Sequence, residues 1–357
     1  MMLGEKLNLL SLALQQAEIR QGECAPNPSV GAIIVNDRGE ILSKGYHLGP
    51  GFPHAEVDAL QKLKQSPENC VLYVTLEPCC HQGRTPACTK AIIKSGIKRV
   101  IYGCQDPNPI VAGKGEKELI QAGIQCECIL HQGIGEFYRS YLYWHKTNTP
   151  FVTAKLAMSL NGMIAGKGNQ RIQISDEALH DVTHQKRKQA DAVLTTAKTI
   201  FFDNPQLNAR MPHQIIPKPI YLLDSNVIIP SDSIIFSSAK SITLFHSNRF
   251  ESDNVKTFSS MGIDCIGIDE EKGKLSLTQM IAAIGKRGTH DLLVEAGGTL
   301  FASLLKQNLL QHAYLYVAPN WIHEGTPAFK ENLNLSNDAS KLSWSQKGKD
   351  AVCEIFF

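Results

Sequence analysis

The sequence predicts an α/β protein built of two units. Three observations carry that prediction. The length of 357 residues is long for one hydrophobic core and comfortable for two. The first 145 residues open with a hairpin pattern and then alternate strand and helix signals, as a mixed sheet covered by helices requires. A fresh alternation starts at Phe151, just beyond a polar, aromatic stretch that closes on Pro150.

Taken in order, the chain begins with a surface helix, because Leu7, Leu10, Leu14 and Ala17 recur at helical spacing. Its apolar run from Leu9 to Leu14 is too short to span a bilayer, and no small-residue cleavage site follows, so a cytoplasmic protein is expected. Ser29 to Val35 reads as a strand, Asn36-Asp37-Arg38-Gly39 as a turn, and Ile41 to Tyr46 as the hairpin partner. Helices are expected over 55–64, 89–95 and 115–122, and strands over 70–76, 99–104 and 124–130. The stretch 131–148 is polar and aromatic, which puts the boundary near 148 and gives domains 1–148 and 149–357. In the second unit strands are expected over 151–157, 190–195, 219–223, 241–245, 264–268, 291–294, 313–318 and 351–357, with helices over 176–188, 277–286 and 299–307.

Composition narrows the class. A hydrophobic fraction of 43% and a charged fraction of 20% are ordinary for a soluble globular protein. A net charge of only +2 implies no strong attraction to nucleic acid or to an anionic membrane, while leaving room for a local phosphate pocket. The ten cysteines are expected to be thiols or metal ligands rather than disulfides. Cys126 and Cys128 alternate in a strand pattern and are expected to be buried thiols rather than a metal pair.

The chemistry concentrates between His54 and Cys88. His54-Ala-Glu56 is followed by Glu-Pro-Cys79-Cys-His-Gln-Gly-Arg-Thr-Pro-Ala-Cys88. His-x-Glu followed by Pro-Cys and a second Cys is the pattern of zinc-dependent deaminases. Catalytic zinc takes three protein ligands and keeps one position open, and His54, Cys79 and Cys88 supply three. Glu56 would not bind metal; it would take a proton from the attacking water and return it to the leaving amine. The competing reading is a closed structural site with Cys80 or His81 as the fourth ligand.

With Asn27-Pro28, Val30-Gly31, Gly45-Tyr46-His47, the Cys79–Cys88 stretch and Gln105-Asp-Pro-Asn-Pro109, the first half resembles the bifunctional deaminase–reductase family of riboflavin biosynthesis. The wide Cys79–Cys88 interval sets that family apart from ordinary cytidine and tRNA-adenosine deaminases. The resemblance implies a cytidine-deaminase-like, three-layer N-terminal domain with one zinc ion per chain. Its substrate would be a diaminopyrimidinone carrying a ribosylamino 5′-phosphate. Asn27, His47 and His81 would hold the base, Arg84 and Thr85 would face the phosphate, and Asp106 and Asn108 the ribose. Asn27 and Asn108 also have a plain alternative, since each precedes proline and suits a turn. Cys80 and Gln82 depart from the family's usual Ser and His.

The second half, read from its residues, offers one suggestive stretch: Leu292-Leu-Val-Glu-Ala-Gly-Gly-Thr-Leu300 reads as strand, glycine turn and helix start, where free N–H groups can hold an anion. It lacks a GxGxxG fingerprint. The family resemblance continues through Ala154-Lys155, Ser159-Leu-Asn-Gly162, Ile174-Ser175, Arg187, Asp191-Ala192, Thr199, Asp203-Asn-Pro205, Leu207-Asn-Ala-Arg210 and Asp224-Ser225. It implies a dihydrofolate-reductase-like domain that uses NADPH to reduce the deaminated ribosylamino intermediate. Ala157, Gln173, Thr199, Asp203, Ser225, Gly297, Gly298, Thr299, Leu300, Phe301, Ala302 and Ser303 would line the cofactor site. Lys155, Arg171, Arg187, Leu207, Arg210 and Glu295 would line the substrate site. Asn161, Gln173, Asn204 and Asn208 depart from the family pattern, and Gln173 is expected to weaken packing on the nicotinamide. The reading as a whole is a small-molecule enzyme, expected to be a homo-oligomer, with no nucleic-acid or membrane partner. Its rivals are a deaminase with an inactive or structural second domain and an RNA-directed deaminase.

Overall fold

The computed structural model describes residues 2–83, 85–249, 253–330, 332–333, 335 and 339–357. The chain divides into two compact units, 1–147 and 148–357.

Unit 1 runs α1 (Leu3–Glu18), β1 (Gly31–Val35), β2 (Ile41–Tyr46), α2 (Ala55–Lys62), β3 (Val71–Val74), α3 (Cys88–Ser95), β4 (Arg99–Tyr102), α4 (Lys114–Gln121), β5 (Gln125–Cys128), α5 (Gln132–Phe137) and α6 (Arg139–Thr147). The sheet order is β2-β1-β3-β4-β5. The first two pairings are antiparallel and the last two parallel, as a hairpin followed by helix crossovers dictates. Because side chains alternate along a strand, Ile33, Val35, Tyr73 and Ile101 pack on α1, α5 and α6, whereas Ile34, Leu72, Val74 and Val100 pack on α2, α3 and α4. Unit 1 is therefore helix, sheet, helix in three layers, as expected. Two readings change. Residues 132–147, read as a polar, aromatic boundary stretch, form α5 and α6; Ile134 of α5, Tyr141 of α6 and Tyr138 between them are buried among polar neighbours. Cys128 is exposed and Cys126 only half-buried, because β5 is an edge strand; the expectation of two buried thiols is wrong.

Unit 2 runs β6 (Phe151–Ser159), β7 (Met163–Gly166), α7 (Glu177–Gln189), β8 (Ala192–Thr196), α8 (Ala197–Asp203), β9 (Ala209–Met211), β10 (Gln214–Ile216), β11 (Pro219–Leu223), α9 (Ile235–Ser238), β12 (Ser241–Ser247), α10 (Asp253–Ser260), β13 (Asp264–Ile268), β14 (Glu270–Glu271), β15 (Lys274–Leu275), α11 (Leu277–Lys286), β16 (Asp291–Glu295), α12 (Gly298–Lys306), β17 (His312–Ala318), β18 (Gly325–Pro327), β19 (Lys341–Lys347) and β20 (Asp350–Phe356). Nine strands form one sheet, ordered β13-β12-β11-β8-β16-β6-β17-β20-β19. The seven from β13 to β17 are parallel, and β20 and β19 close the edge antiparallel. β16 returns late in the chain to fill the gap between β8 and β6. The strand order thus reverses there, and open α/β sheets leave a crevice outside the strand ends at such a point. Leu292, Val294 and Leu194 face α11 and α12; Val193, Ile220 and Leu244 face α8, α9 and α10.

Candidate metal centre and cofactor cavity

In unit 1 the metal-type donors come together at two helix starts. His54 sits at the N-cap of α2 and Cys88 opens α3, while Cys79 lies in the loop after β3. Their donor atoms all lie within 4.8 Å of one another, and no other such cluster of three occurs among the described residues. His54 Nδ1 faces Cys79 Sγ at 3.5 Å and Cys88 Sγ at 3.2 Å. A tetrahedral centre with Zn–N of about 2.0 Å and Zn–S of about 2.3 Å needs an N to S separation of roughly 3.5 Å, so the donor set fits zinc. The hydrogen bond from Cys88 holds the Cys79 thiol well below its usual range, and the same contact, with burial, holds Cys88 up. The backbone N–H of Cys88 also donates to Cys79 Sγ, at 3.4 Å. A bound divalent cation would take both thiols as thiolates.

Glu56, in the first turn of α2, is 3% exposed and lies outside the donor set. Burial, then the charge of Cys79, pushes its carboxyl up to about 7. Cys80, a candidate fourth ligand, has its Sγ directed to the Ile110 carbonyl at 3.9 Å and is not in the donor group. His81 is not in it either; its Nδ1 is buried without a hydrogen-bond partner among the described residues. The closed four-ligand alternative therefore has no fourth ligand in place.

The expected substrate contacts divide. Asn27 Nδ2 meets His47 Nε2 at 3.0 Å, and His47 Nδ1 meets the Pro53 carbonyl at 3.1 Å. The His47 ring stands edge-on to His54, 4.9 Å between centroids, so His47 packs on the donor cluster and Asn27 is linked to it through His47. Thr85 is also there, but its hydroxyl lies 3.2 Å from His54 Nε2. Arg84 lies outside the described residues. Asp106 and Asn108 are occupied by their own loop. Asp106 Oδ1 accepts from the Asn108 N–H at 2.9 Å and from the Tyr141 hydroxyl at 3.2 Å, and Asn108 Oδ1 accepts from the Ile110 N–H at 3.0 Å. The contacts of Asn108 fit the turn alternative given for it, and Asp106 is engaged in the same loop. Asp106→Ala is expected to destabilise unit 1 by about 1–3 kcal/mol, because the part-buried Asn108 N–H and the buried Tyr141 hydroxyl lose this acceptor; chemical denaturation measures it.

Glu77, to which sequence reasoning assigned no role, anchors the same loop. Its buried carboxylate accepts from the backbone N–H groups of Gly113 at 3.0 Å, Glu116 at 3.2 Å and Asp106 at 3.4 Å. Gly115 completes that contact: a Cβ there would stand 2.0 Å from the Pro78 carbonyl oxygen.

In unit 2 a cavity of about 1150 Å³ opens at the carboxyl ends of β8, β11 and β16, beside β6. All the cofactor and substrate residues expected from the resemblance line it except Phe301 and Ala302. The helical turn of α12 carries these two off the cavity wall, and Phe301 packs in the core against Phe329, 5.4 Å between centroids. Gly297 caps α12, and a Cβ on Gly298 would stand 1.6 Å from the Ala328 carbonyl oxygen, so only glycine brings the helix start this close to that backbone. A helix N-terminus facing a cavity that Lys155, Lys198, Arg171 and Arg210 also line suits an anionic dinucleotide, so the residues fit NADPH.

Arg187, Glu295 and Lys155 form a charged cluster in the cavity wall. Arg187 grips Glu295 through two N–H groups, one of them at 3.0 Å, and donates Nη1 to the Asn208 carbonyl at 3.1 Å. Lys155 Nζ stands 3.9 Å from Glu295 and 5.4 Å above the Tyr316 ring. Burial lowers the Lys155 pKa, and Glu295 opposes that shift. His184, one turn before Arg187 on α7, also lines the cavity and its Nδ1 accepts from the Arg210 N–H at 3.1 Å. Burial and the charges of Arg187 and Arg210 push His184 down to about 4, which keeps it neutral. Its helical spacing to Arg187 was the signal available in the sequence; the Glu271–Leu275 hairpin, also on the wall, was signalled by Lys272-Gly273.

The asparagines that depart from the family pattern have local structural partners. Asn161 Oδ1 accepts from Ser159 Oγ at 2.8 Å and from the Ile322 N–H at 3.1 Å. Asn204 adopts the left-handed C-cap of α8, at φ 40°, a conformation asparagine tolerates. Asn208 Oδ1 accepts from Arg210. Gln173 donates to the Ser175 carbonyl at 3.0 Å and meets His180 on the cavity wall.

Comparison with known proteins covers both units. Residues 5–104 match the cytidine and deoxycytidylate deaminase zinc-binding region, and residues 150–353 match the RibD C-terminal domain. The riboflavin biosynthesis protein RibD of Escherichia coli is 36% identical over 329 residues, covering 87% of this chain and 86% of its own. That of Actinobacillus pleuropneumoniae is 33% identical over 341 residues, covering 94% and 90%. Among solved structures, Acinetobacter baumannii RibD superposes with a TM-score of 0.87 at 28% identity, over 99% of both chains. A diaminohydroxyphosphoribosylaminopyrimidine deaminase/5-amino-6-(5-phosphoribosylamino)uracil reductase from Thermotoga maritima superposes at 0.82 with 25% identity, again over 99% of both. With two family regions in this order and relatives above 30% identity over nearly the whole length, the chain belongs to the RibD family of riboflavin biosynthesis proteins.

Proposed function

We propose that the chain performs two successive reactions on one small phosphorylated pyrimidine. Unit 1 hydrolytically deaminates 2,5-diamino-6-ribosylamino-4(3H)-pyrimidinone 5′-phosphate. Unit 2 then reduces 5-amino-6-(5-phosphoribosylamino)uracil to its ribitylamino product. The observation that carries the reading is the convergence of His54, Cys79 and Cys88 on one point, with Glu56 buried beside them.

Zinc held by these three residues supplies a water-derived nucleophile at neutral pH. Glu56 accepts the proton of the attacking water on its carboxylate and passes it to the exocyclic amine as ammonia leaves. Asn27 and His47 orient the base at the mouth of the donor cluster. In unit 2, NADPH supplies the hydride. Arg171 and Arg210, exposed on the cavity wall, hold the 5′-phosphate. Arg187 fixes Glu295, and Lys155 presents its ammonium to the ribose being reduced. The reading includes the cytoplasm, which suits ten cysteines that all stand as thiols. It also includes a homo-oligomer, supported by Leu342 and Trp344 exposed on edge strand β19. Among the described residues, no helix is long and apolar enough to cross a membrane.

The test is product mass after incubation with the diaminopyrimidinone substrate. Zinc-loaded protein alone is expected to exchange one amine for oxygen, and addition of NADPH to add two hydrogens. Protein stripped of zinc by a chelator is expected to lose the first step and still reduce the deaminated intermediate. An unchanged substrate with zinc-loaded protein would remove the deaminase reading; no NADPH oxidation with the deaminated intermediate would remove the reductase reading.

A further inference from the structure

Thr85 approaches His54 from the side opposite the two thiols. Its Oγ1 lies 3.2 Å from Nε2, while Nδ1 of the same ring faces Cys79 and Cys88. The two ring nitrogens therefore have separate partners. A cation held through Nδ1 takes that lone pair and leaves the ring proton on Nε2, which then needs an acceptor. Without a cation, the donor and acceptor roles of both ring nitrogens depend on the tautomer. A hydroxyl serves both states because it donates and accepts; an ionised carboxylate only accepts, and a methyl group does neither. A neutral partner also adds no further negative charge to a site that already holds Cys79, Cys88 and Glu56. His47 packs edge-on against the same ring, so the orientation of His54 is set by His47 and Thr85 together.

We propose that Thr85 is a positioning residue for the metal centre: it holds the His54 ring and its Nε2–H tautomer so that Nδ1 is presented to zinc, and it is not a phosphate contact. The proposal rests on the reading of His54, Cys79 and Cys88 as zinc ligands.

The test compares the full-length chain with Thr85→Val, Thr85→Ala and Thr85→Ser, measuring zinc affinity by competition with a chromogenic chelator and the KM of the zinc-saturated deaminase. Outer partners of metal-bound histidines are worth about 10–100-fold in metal affinity. T85V and T85A are expected to weaken zinc by that range, and T85S to restore it. KM in zinc-saturated T85V is expected to stay within about twofold of the parent, since uniform substrate binding is untouched. Two outcomes overturn the proposal: parental zinc affinity in both hydroxyl-free variants, or a raised KM with zinc affinity unchanged, which is the signature of a phosphate contact. A parent chain that binds no zinc at all overturns the metal reading itself, and is distinguishable because no variant then differs. T85A keeps the comparison available if the valine methyl disturbs the loop, and T85S separates loss of the hydroxyl from loss of shape.

Discussion

Glu56→Gln abolishes ammonia release while leaving one zinc bound per chain. The expected loss is roughly 10²–10⁴-fold, the range for removing a positioned general acid–base. Glutamine has nearly the same shape and can occupy the same buried place in the first turn of α2, but it cannot take and return a proton. Folding is not expected to suffer, since a neutral amide is easier to bury than an ionised carboxylate. Zinc retention follows from the donor set, which is complete without Glu56. The measurements are ammonia release and metal content on the same preparation, with NADPH oxidation on the deaminated intermediate as the internal control. Near-parental deamination would remove Glu56 from the chemistry, and loss of zinc would make it a ligand.

What the sequence could and could not disclose at this centre has a physical basis. His54 and Glu56 were legible because two residues within one helical turn keep a fixed relation whatever the rest of the fold does. Cys79 and Cys88 were legible because a thiol pair beside such a turn has few uses other than a metal. Partners that depend on loop closure were not legible. Nothing in the order of residues says that Thr85 returns to the far nitrogen of His54, or that Asp106 spends its carboxylate on Asn108 and Tyr141. α5 and α6 were hidden because the buried residues there are one Ile and two Tyr among polar residues, and β19 because all seven of its residues are exposed and no face alternates. In unit 2 the strand–glycine–helix passage around Gly297 could be read locally. The insertion of β16 between β8 and β6 could not, and it is this crossover that sets Glu295 beside Lys155 and brings both to Arg187 on α7.

Arg187→Met is expected to abolish reduction, leave ammonia release intact and destabilise unit 2 by about 3–5 kcal/mol, the cost of breaking a buried ion pair from one side. The side chains of Arg187 and Glu295 are 12% and 9% exposed, so water screens the pair little. Methionine fills similar volume but leaves Glu295 with only the longer contact to Lys155 at 3.9 Å, and the Asn208 carbonyl loses its donor. For a unit of this size the stated loss lowers the melting midpoint by roughly 6–20 °C; the transition to follow is the one that NADPH raises. Acid narrows the difference. Burial pushes the Glu295 carboxyl up, but the charge and hydrogen bonds of Arg187, with Lys155, outweigh it and hold the group below its ordinary value of 4.5. The pair's contribution is therefore complete above the unfolded carboxylate range and is lost as pH falls through the lower folded value. In R187M the downward pull is gone and burial remains, so Glu295 protonates more readily and the variant gives up less on acidification. Parent and variant should converge in stability as pH falls through the parent's lowered Glu295 value. A variant that melts with the parent at neutral pH, or that reduces at the parental rate, would show that Arg187 neither supports the fold nor fixes Glu295 for the reaction.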